Sequence, residues 1–160
     1  MKSKLDRIRS LLSSQTTLVL ATTDEDSAPR STPLFFIADD GLRLFWFSSR
    51  SSIHSRNCAR NPAASISISS DARRWQEILG VQMKGTISIV TERDLRKSIT
   101  RDYCERLQLG NLFAFAIRRS TLYCFTPSWV RYLDNTRRFG YKFELNLPAA
   151  SPDPSPSPGR

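Results

Sequence analysis

Residues 34–49 read L-F-F-I-A-D-D-G-L-R-L-F-W-F-S-S, with an apolar segment on each side of Asp39-Asp40-Gly41. An Asp-Gly pair between two strand-forming segments is a strong local signal for a β-hairpin. In the second segment, residues 42–48, Leu and Trp alternate with Arg and Phe, which is the two-residue period of a strand. Two antiparallel strands joined by a tight turn are therefore predicted here.

The same reasoning, extended outward along the chain, predicts further strands and three helices. Candidate strands are residues 17–22, 30–38, 42–48, 63–69, 77–90, 112–117, 121–125, 130–133 and 141–147. Candidate helices are residues 3–14, 51–60 and 91–106, the first capped by Ser3 with Asp6 and the third by Thr91 with Asp94. The pattern predicts an α+β protein in which six or seven antiparallel strands form a small closed sheet with two or three peripheral helices.

The length and composition are those of one globular domain. The 160 residues include 24 Lys and Arg against 15 Asp and Glu, so the formal net charge is +9. No apolar run approaches the roughly 20 residues needed to span a bilayer, and the charged N-terminus lacks the pattern of a secretory signal, so we expect a cytoplasmic protein. Five prolines in residues 148–160 predict a disordered tail, which leaves residues 1–147 as the folded domain.

The residue content excludes several classes of site. The three cysteines form no C-x-x-C pair and His54 is the single histidine, so no metal site is predicted. The G-x-S-x-G, H-E-x-x-H and Walker A patterns are absent from the sequence. The surplus of cations is compatible with nucleic acid, an anionic membrane or an anionic cofactor. Because the cations form no continuous basic stripe, the sequence does not favour nucleic acid.

The block F-S-S-R-S-S-I-H-S-R-N, residues 47–57, places hydroxyls, basic groups and a helix start directly after a strand. Donors at a helix N-terminus favour an anion, and Arg or protonated His adds charge-assisted hydrogen bonds. The block therefore predicts a phosphate site. A solvated basic helix with ordinary caps is the alternative interpretation, and the residues alone leave both open.

Four motifs in this order carry a family resemblance. They are L-V-L-A-T-T-D-x-D-x-x-P-R-S-T-P-L-F-F at 18–36, D-G-L-R-L-F-W-F-S-S at 40–49, H-S-R-N-x-x-R-N-P at 54–62 and G-V-Q-x-K-G at 80–85. Together they resemble the pyridoxamine 5′-phosphate oxidase-like, flavin-binding split barrels over residues 5–147. The closing L-D-N-T-x-x-F-G, residues 133–140, is similar to a small bacterial subgroup with no settled function. The resemblance implies a split β-barrel and a homodimer that holds FMN between its subunits.

The resemblance also assigns cofactor-binding residues position by position. The implied set is Arg30, Ser31, Thr32 and Pro33 beside the flavin ring, Phe47 and Ser48 at the strand end near the ring and ribityl chain, Ser52 and His54 at the phosphate, and Gln82 at the ring edge, often across the dimer. Ser49, Arg50 and Arg56 of the same block, and Asn57 one helical turn after His54, complete the candidate cofactor-binding residues. Ile53 stands where the family has a basic residue, so Arg50 or Arg56 is expected to supply the missing charge. His54 stands where the family has Lys or Arg.

These assignments imply an FMN-dependent oxidoreductase that transfers a hydride through the flavin, with NAD(P)H or a small molecule as the partner. A flavin-binding module without turnover is the alternative, and FAD, a deazaflavin or heme remain open as cofactors. A true pyridoxamine 5′-phosphate oxidase carries an Arg-x-His pair late in the chain. Since no histidine follows His54, we predict that the protein is not that enzyme. Residues 134–136, Asp-Asn-Thr, fit an Asx turn and a functional motif equally well.

Overall fold

The computed structural model describes residues 3–148, except for the side chains of residues 111, 112 and 114. The helices are α1 (Lys4–Ser14), α2 (Ile53–Arg60), α3 (Arg93–Arg106) and α4 (Asn111–Arg119). The strands are β1 (Thr17–Thr23), β2 (Pro29–Phe35), β3 (Ile37–Ala38), β4 (Leu44–Ser48), β5 (Ala63–Ser69), β6 (Leu79–Ile89), β7 (Thr121–Asp134) and β8 (Lys142–Asn146). A 3₁₀ turn, Trp75–Glu77, precedes β6. Within residues 3–148, none of the helices is long and apolar enough to cross a membrane.

All eight strands form one antiparallel sheet with the order β2-β1-β5-β6-β7-β4-β3. Strand β8 lies beside the second half of β7, while β4 pairs with the first half. The sheet curls on itself, and the predicted α+β split barrel is confirmed. The predicted tail falls outside the described residues apart from Pro148, so the boundary at residue 147 stays a prediction.

The sheet bends where β6 and β7 fall out of register. The pairing shifts between Lys84 and Gly85, so that Gly85 lies opposite Pro127 while Lys84 lies opposite Trp129. A Cβ on Gly85 would collide with the carbonyl oxygen of Thr126 and lie 2.9 Å from the Cα of Pro127. Glycine is required here because the two backbones approach too closely for any side chain.

Two apolar clusters fill the space on either side of the curled sheet. The larger one is sealed by α1, which inserts Ile8, Leu11 and Leu12 against the inward-facing side chains of the central strands. The smaller one lies beneath α3 and contains Ile37, Phe45, Phe47, Ile99, Tyr103, Leu122 and Cys124. The apolar alternation of β1 and β5 is therefore explained by burial on one face of the sheet, whereas β4 is buried on both faces.

The helix starts follow local hydrogen-bonding chemistry. The predicted capping box of α1 is present, since the Asp6 amide donates to Ser3 Oγ at 3.1 Å and the Ser3 amide donates to Asp6 Oδ2 at 3.0 Å. The predicted cap of α3 is wrong. Glu92 caps that helix instead, because its carboxylate accepts the amides of Asp94 and Leu95 at 2.8 Å each and satisfies two first-turn donors at once.

Four of the predicted strands differ in the structure. Residues 112–117 belong to helix α4, because a six-residue apolar run is too short to distinguish the helical from the strand period. Residues 121–125 and 130–133 are one continuous strand, β7, in which Pro127 is accommodated at the bulge. Residues 30–38 are divided into β2 and β3 at Phe36, whose amide donates to the Thr16 carbonyl at 3.0 Å.

We expect Gly85→Ala to destabilise the protein, because the added methyl group must push β7 away at the bulge. The loss in the free energy of unfolding should be about 1–3 kcal/mol or more, as for other overpacked sites. Urea unfolding measures it. Gly110→Ala is the control, since a Cβ at Gly110 meets nothing within 4 Å. Equal stabilities of the two variants would contradict the proposed close approach.

Candidate functional site

The strand β4 ends at Ser48, and a serine-rich turn leads directly into α2. Ser52 is the N-cap, since its Oγ accepts the Ser55 amide at 3.3 Å. The same hydroxyl donates to the Ser49 carbonyl at 2.9 Å, and the Ser52 amide donates to that carbonyl at 3.2 Å. The turn therefore places the N-terminus of an eight-residue helix at the end of a buried strand.

His54 is the second residue of α2, next to this turn. Its side chain is buried, with Nε2 at 2.8 Å from Ser48 Oγ and 3.1 Å from Ser52 Oγ. Burial lowers the pKa of His54, so the imidazole is neutral at neutral pH. His54 thus orients two serine hydroxyls and contributes no positive charge.

The cations at this helix start are Arg50 and Arg56, and both are exposed. Arg50 Nε donates to Thr121 Oγ1 at 3.3 Å, and Arg56 Nη1 donates to the Ser51 carbonyl at 3.1 Å. Both of these partners are neutral. Ile53, which stands in place of a basic residue, is itself 45% exposed. Among the described residues, Arg50 and Arg56 are therefore exposed cations whose hydrogen-bond partners are uncharged.

Asn57 ties α2 to the β1–β2 hairpin. It is 4% exposed, and Nδ2 donates to Thr22 Oγ1 at 3.0 Å and to Asp24 Oδ1 at 2.6 Å. Its Oδ1 accepts Arg60 Nη2 at 3.2 Å. With both ends of the amide engaged, Asn57 positions the helix.

Asp24 is held from the other side by Arg30. Arg30 Nε donates to both carboxylate oxygens at 2.9 Å, and Nη2 lies 2.8 Å from Oδ2. The Arg30 guanidinium, together with the Asn57 amide, lowers the pKa of Asp24. The sequence predicts Asp24 only as part of a turn. The hairpin register could have revealed the pair, because Arg30 lies opposite Thr22, which is two residues before Asp24 and therefore points to the same side.

The remaining predicted residues lie away from this turn and helix. Phe47 is buried in the smaller cluster, where its ring packs edge-on against Tyr103 with centroids 5.1 Å apart. On the exposed sheet face, a row of directly opposed residues runs from β2 to β7: Pro33, Val19, Ser67, Gln82 and Arg131. Directly opposed residues share a face, so Pro33 and Gln82 lie on one surface.

Ser31 shares that face, since it lies opposite Ala21, which alternates with Val19. Thr32 and Arg30 alternate with these residues and lie on the face of buried Leu20 and Thr22. The predicted site is thus distributed over two surfaces of one chain. One contains the turn and α2; the other is the exposed face of the sheet.

The Asp-Asn-Thr segment closes the β7–β8 connection. Asp134 Oδ1 accepts the Thr136 amide at 3.1 Å, which is an Asx turn. Asn135 donates from Nδ2 to the Trp75 carbonyl at 2.9 Å, and its Oδ1 accepts the Gly140 amide at 2.9 Å. Its own amide donates to the Ile78 carbonyl at 2.9 Å. Asn135 therefore fastens the β7–β8 turn to the segment before β6, and we name this arrangement the Asn135 clasp.

The pKa of His54 predicts a pH dependence of stability. Because the folded-state pKa is lowered, the unfolded chain binds the proton more readily, and stability decreases as the pH falls through about 6.5. In urea unfolding, the wild-type protein should lose more stability between about pH 7 and about pH 5 than His54→Gln, which has no such proton to bind. Equal losses in the two proteins would contradict a buried, neutral His54.

Asn135→Ala should loosen the clasp, because it leaves the Trp75 carbonyl and the Gly140 amide without their partner. We expect a loss of about 1–3 kcal/mol in the free energy of unfolding. Hydrogen exchange should accelerate at Gly140 while the amides of α1 keep their protection. Unchanged exchange at Gly140 would show that the clasp does not hold this turn.

The comparisons with known proteins agree with the fold. Residues 5–134 match the sequence model of the family described as pyridoxamine 5′-phosphate oxidase. No curated protein matches the chain significantly. The heme-binding protein from Mycobacterium smegmatis superposes with a TM-score of 0.76 at 17% identity, covering 91% of this chain and 59% of that protein. This chain thus spans less than two thirds of the length of that structure.

Two other solved structures cover most of both chains. The heme storage protein from Vibrio cholerae has a TM-score of 0.64 at 23% identity and covers 79% of this chain and 91% of its own. A protein of the pyridoxinephosphate oxidase family from Clostridium acetobutylicum has a TM-score of 0.67 at 19% identity, with coverages of 89% and 94%. These likenesses show the same fold. Because the family model matches most of the sequence and the strands form the split barrel, the chain belongs to the pyridoxamine 5′-phosphate oxidase family.

Proposed function

We propose that the protein binds FMN, with the phosphate at the N-terminus of α2, and acts as a flavin-dependent oxidoreductase. The observation that carries this proposal is the charge at the helix start. Within residues 3–148, Arg50 and Arg56 make no ion pair with a carboxylate, and the first turn of α2 contains no acid. Two arginines beside serine hydroxyls and a helix N-terminus suit a phosphate dianion.

The donor set of the turn fits this phosphate group. Ser49 and Ser51 are exposed, with their hydroxyl oxygens 2.7 Å apart, so both can turn toward an anion without breaking a buried contact. Neutral His54 keeps Ser48 and Ser52 in place. When bound, the flavin supplies the hydride chemistry, and the protein supplies orientation and electrostatics.

The position of Gln82 supports a homodimer with FMN between the subunits. Gln82 lies opposite Arg131, ten residues along β7 from Thr121, which Arg50 contacts. Ten strand residues span about 33 Å if the strand is straight, so Gln82 lies far along the sheet from the start of α2. A flavin held at α2 of one copy would therefore meet Gln82 of a second copy. Val19, 43% exposed within the same row, offers apolar area for that contact.

Two of the structural neighbours are named as heme-binding or heme storage proteins, but the only histidine of this chain is poorly placed to bind heme. Nε2 of His54 is held between two serine hydroxyls and the ring is buried. Iron ligation there would break both hydrogen bonds. FMN is favoured because it requires no such rearrangement. Because no histidine follows His54, the chain also lacks the Arg-x-His pair of a true pyridoxamine 5′-phosphate oxidase. NAD(P)H or a small molecule is the proposed electron donor.

Titration of the purified full chain with FMN, riboflavin and hemin tests this proposal. FMN should bind more tightly than riboflavin, which lacks the phosphate. Arg50→Gln/Arg56→Gln should weaken FMN by about tenfold per charge-assisted contact and leave riboflavin unchanged. Arg93→Gln/Lys97→Gln removes the same charge from exposed positions on α3 and is the matched control. Equal affinities for FMN and riboflavin, or tighter hemin binding, would overturn the phosphate assignment.

Anaerobic mixing of the FMN-loaded protein with NADPH and with NADH separates the two remaining functions. Loss of the visible flavin absorbance after mixing would mean that the flavin is reduced, which supports an oxidoreductase. A loaded protein that stays oxidised with both donors would contradict nicotinamide-dependent turnover and favour the non-catalytic flavin-binding module.

A further inference from the structure

Helix α4 presents apolar side chains to solvent. Phe113 is 65% exposed and Phe115 is 59% exposed, while Ile117 is partly buried against the smaller apolar cluster. At about 100° per residue, Ala116 lies between the two rings around the helix, and it is exposed as well. The rings and the alanine therefore form one apolar face, which remains exposed in the described part of the chain. An exposed apolar face of this kind indicates an interaction surface.

Cations lie beside this apolar face. The guanidinium of Arg119 lies 5.6 Å from the centre of the Phe115 ring, one helical turn away. Arg118 is exposed next to it, and the sequence of α4 contains no acid. Exposed phenyl rings on a helix with arginines and without acids are typical of segments that lie at the interface of an anionic membrane.

A groove along α3, which reaches the end of α4, extends the cationic surface. Its volume is about 940 Å³. Five of the side chains that line it are cationic: Arg93, Arg96, Lys97, Arg101 and Arg118. Asp94 is the acidic residue of the lining, and Asp102 pairs with Arg101, with Nε 3.0 Å from Oδ1. Within residues 3–148, the other four cations make no ion pair with a carboxylate, so positive charge remains in excess along the groove.

Arg96 fixes the end of α4 against α3. Its Nη2 donates to the Arg118 carbonyl at 3.2 Å and to the Ser120 carbonyl at 2.7 Å. Its guanidinium also lies 5.5 Å from the centre of the Phe47 ring, which is part of the smaller apolar cluster. These contacts hold the C-terminal end of α4 beside α3, so the apolar face and the cationic groove are parts of one surface.

We propose that α4 and the groove of α3 form a docking surface for a membrane that contains anionic lipids. Phe113 and Phe115 would enter the boundary between the headgroups and the acyl chains, and the cations of both helices would contact the lipid phosphates. A bilayer is favoured because it offers negative charge and an apolar layer side by side. A second copy of the chain is disfavoured, because it would bring two identical cationic surfaces together. The docking requires no flavin and is independent of the proposed function.

Co-sedimentation of the full chain with vesicles tests this proposal. Vesicles of phosphatidylcholine alone are compared with vesicles that contain about 30% phosphatidylserine, both near physiological ionic strength. The protein should bind the anionic vesicles at least about tenfold more tightly, and this binding should weaken as the salt concentration rises. The amides of residues 113–117 should exchange more slowly on the anionic vesicles. Absence of binding, or equal binding to both kinds of vesicle, would overturn the proposal.

A pair of matched variants tests the phenyl rings. Phe115→Ser should weaken binding to the anionic vesicles by about tenfold, because the inserted apolar area is lost. Phe139→Ser removes a phenyl ring that is 78% exposed on the β7–β8 turn, and it should leave the affinity unchanged. Equal affinities of these two variants would contradict insertion through α4.

A second pair of variants tests the charges. Arg118→Gln/Arg119→Gln should weaken the binding by about fivefold per charge. Arg137→Gln/Arg138→Gln is the control, since these adjacent arginines are also exposed and also lie near an aromatic ring, that of Tyr141. Equal weakening by both double variants would mean that the vesicles respond only to net charge, which would overturn a specific surface.

Sedimentation velocity without vesicles tests whether a second copy covers α4 instead. Phe115→Ser should have the same oligomeric state as the wild-type protein. A wild-type assembly that dissociates in this variant would show that the apolar face is an interface between copies, and the membrane surface would be overturned.

Discussion

The pairing of β7 with three other strands is the constraint on which the rest of the molecule depends. Its fourteen residues pair with β6 over nearly the whole length, with β4 at the beginning and with β8 toward the end. One strand therefore joins both halves of the curled sheet, and the bulge opposite Gly85 gives it the necessary bend. Its two ends also position the α2 site and the Asn135 clasp. Ser48 lies opposite Thr121 at the start, and Asn135 follows the last strand residue.

In the α2 site, the residues that fix the local structure are buried and the charged residues are exposed. Its buried members, His54 and Asn57, are held by neutral or compensated hydrogen bonds, which are far cheaper to bury than an isolated ion. Its cations, Arg50 and Arg56, stay at the rim in water. The exposed side chains can thus turn toward an anion without disturbing the hydrogen bonds that fix the helix. Rigidity and anion recognition are assigned to different residues of the same short segment.

The architecture could be predicted because period-two alternation reports burial on one face of a sheet, and the strands around Leu20, Ile66 and Val81 follow it closely. The strand predicted for residues 112–117 was wrong, because six apolar residues satisfy both the helical and the strand period. The site could be predicted only as a set of residue types. The sequence contains no signal for the direction of the His54 ring, which depends on how β4 and α2 meet. The Asp24–Asn57 contact likewise joins segments 33 positions apart.

This arrangement shows where part of the net charge of +9 lies in the molecule. Many arginines are matched by acids, as Arg30 is by Asp24 and Arg43 by Asp39. Arg50 contacts the first residue of β7, and Arg131 and Lys142 lie toward its other end. In the proposed dimer, the cleft is flanked by cations from both copies. Cations on both sides favour negative charge in the space between them, where a low dielectric strengthens every such interaction. A cleft of this kind suits a cofactor that gains electrons, since the added negative charge is balanced by cations of both copies.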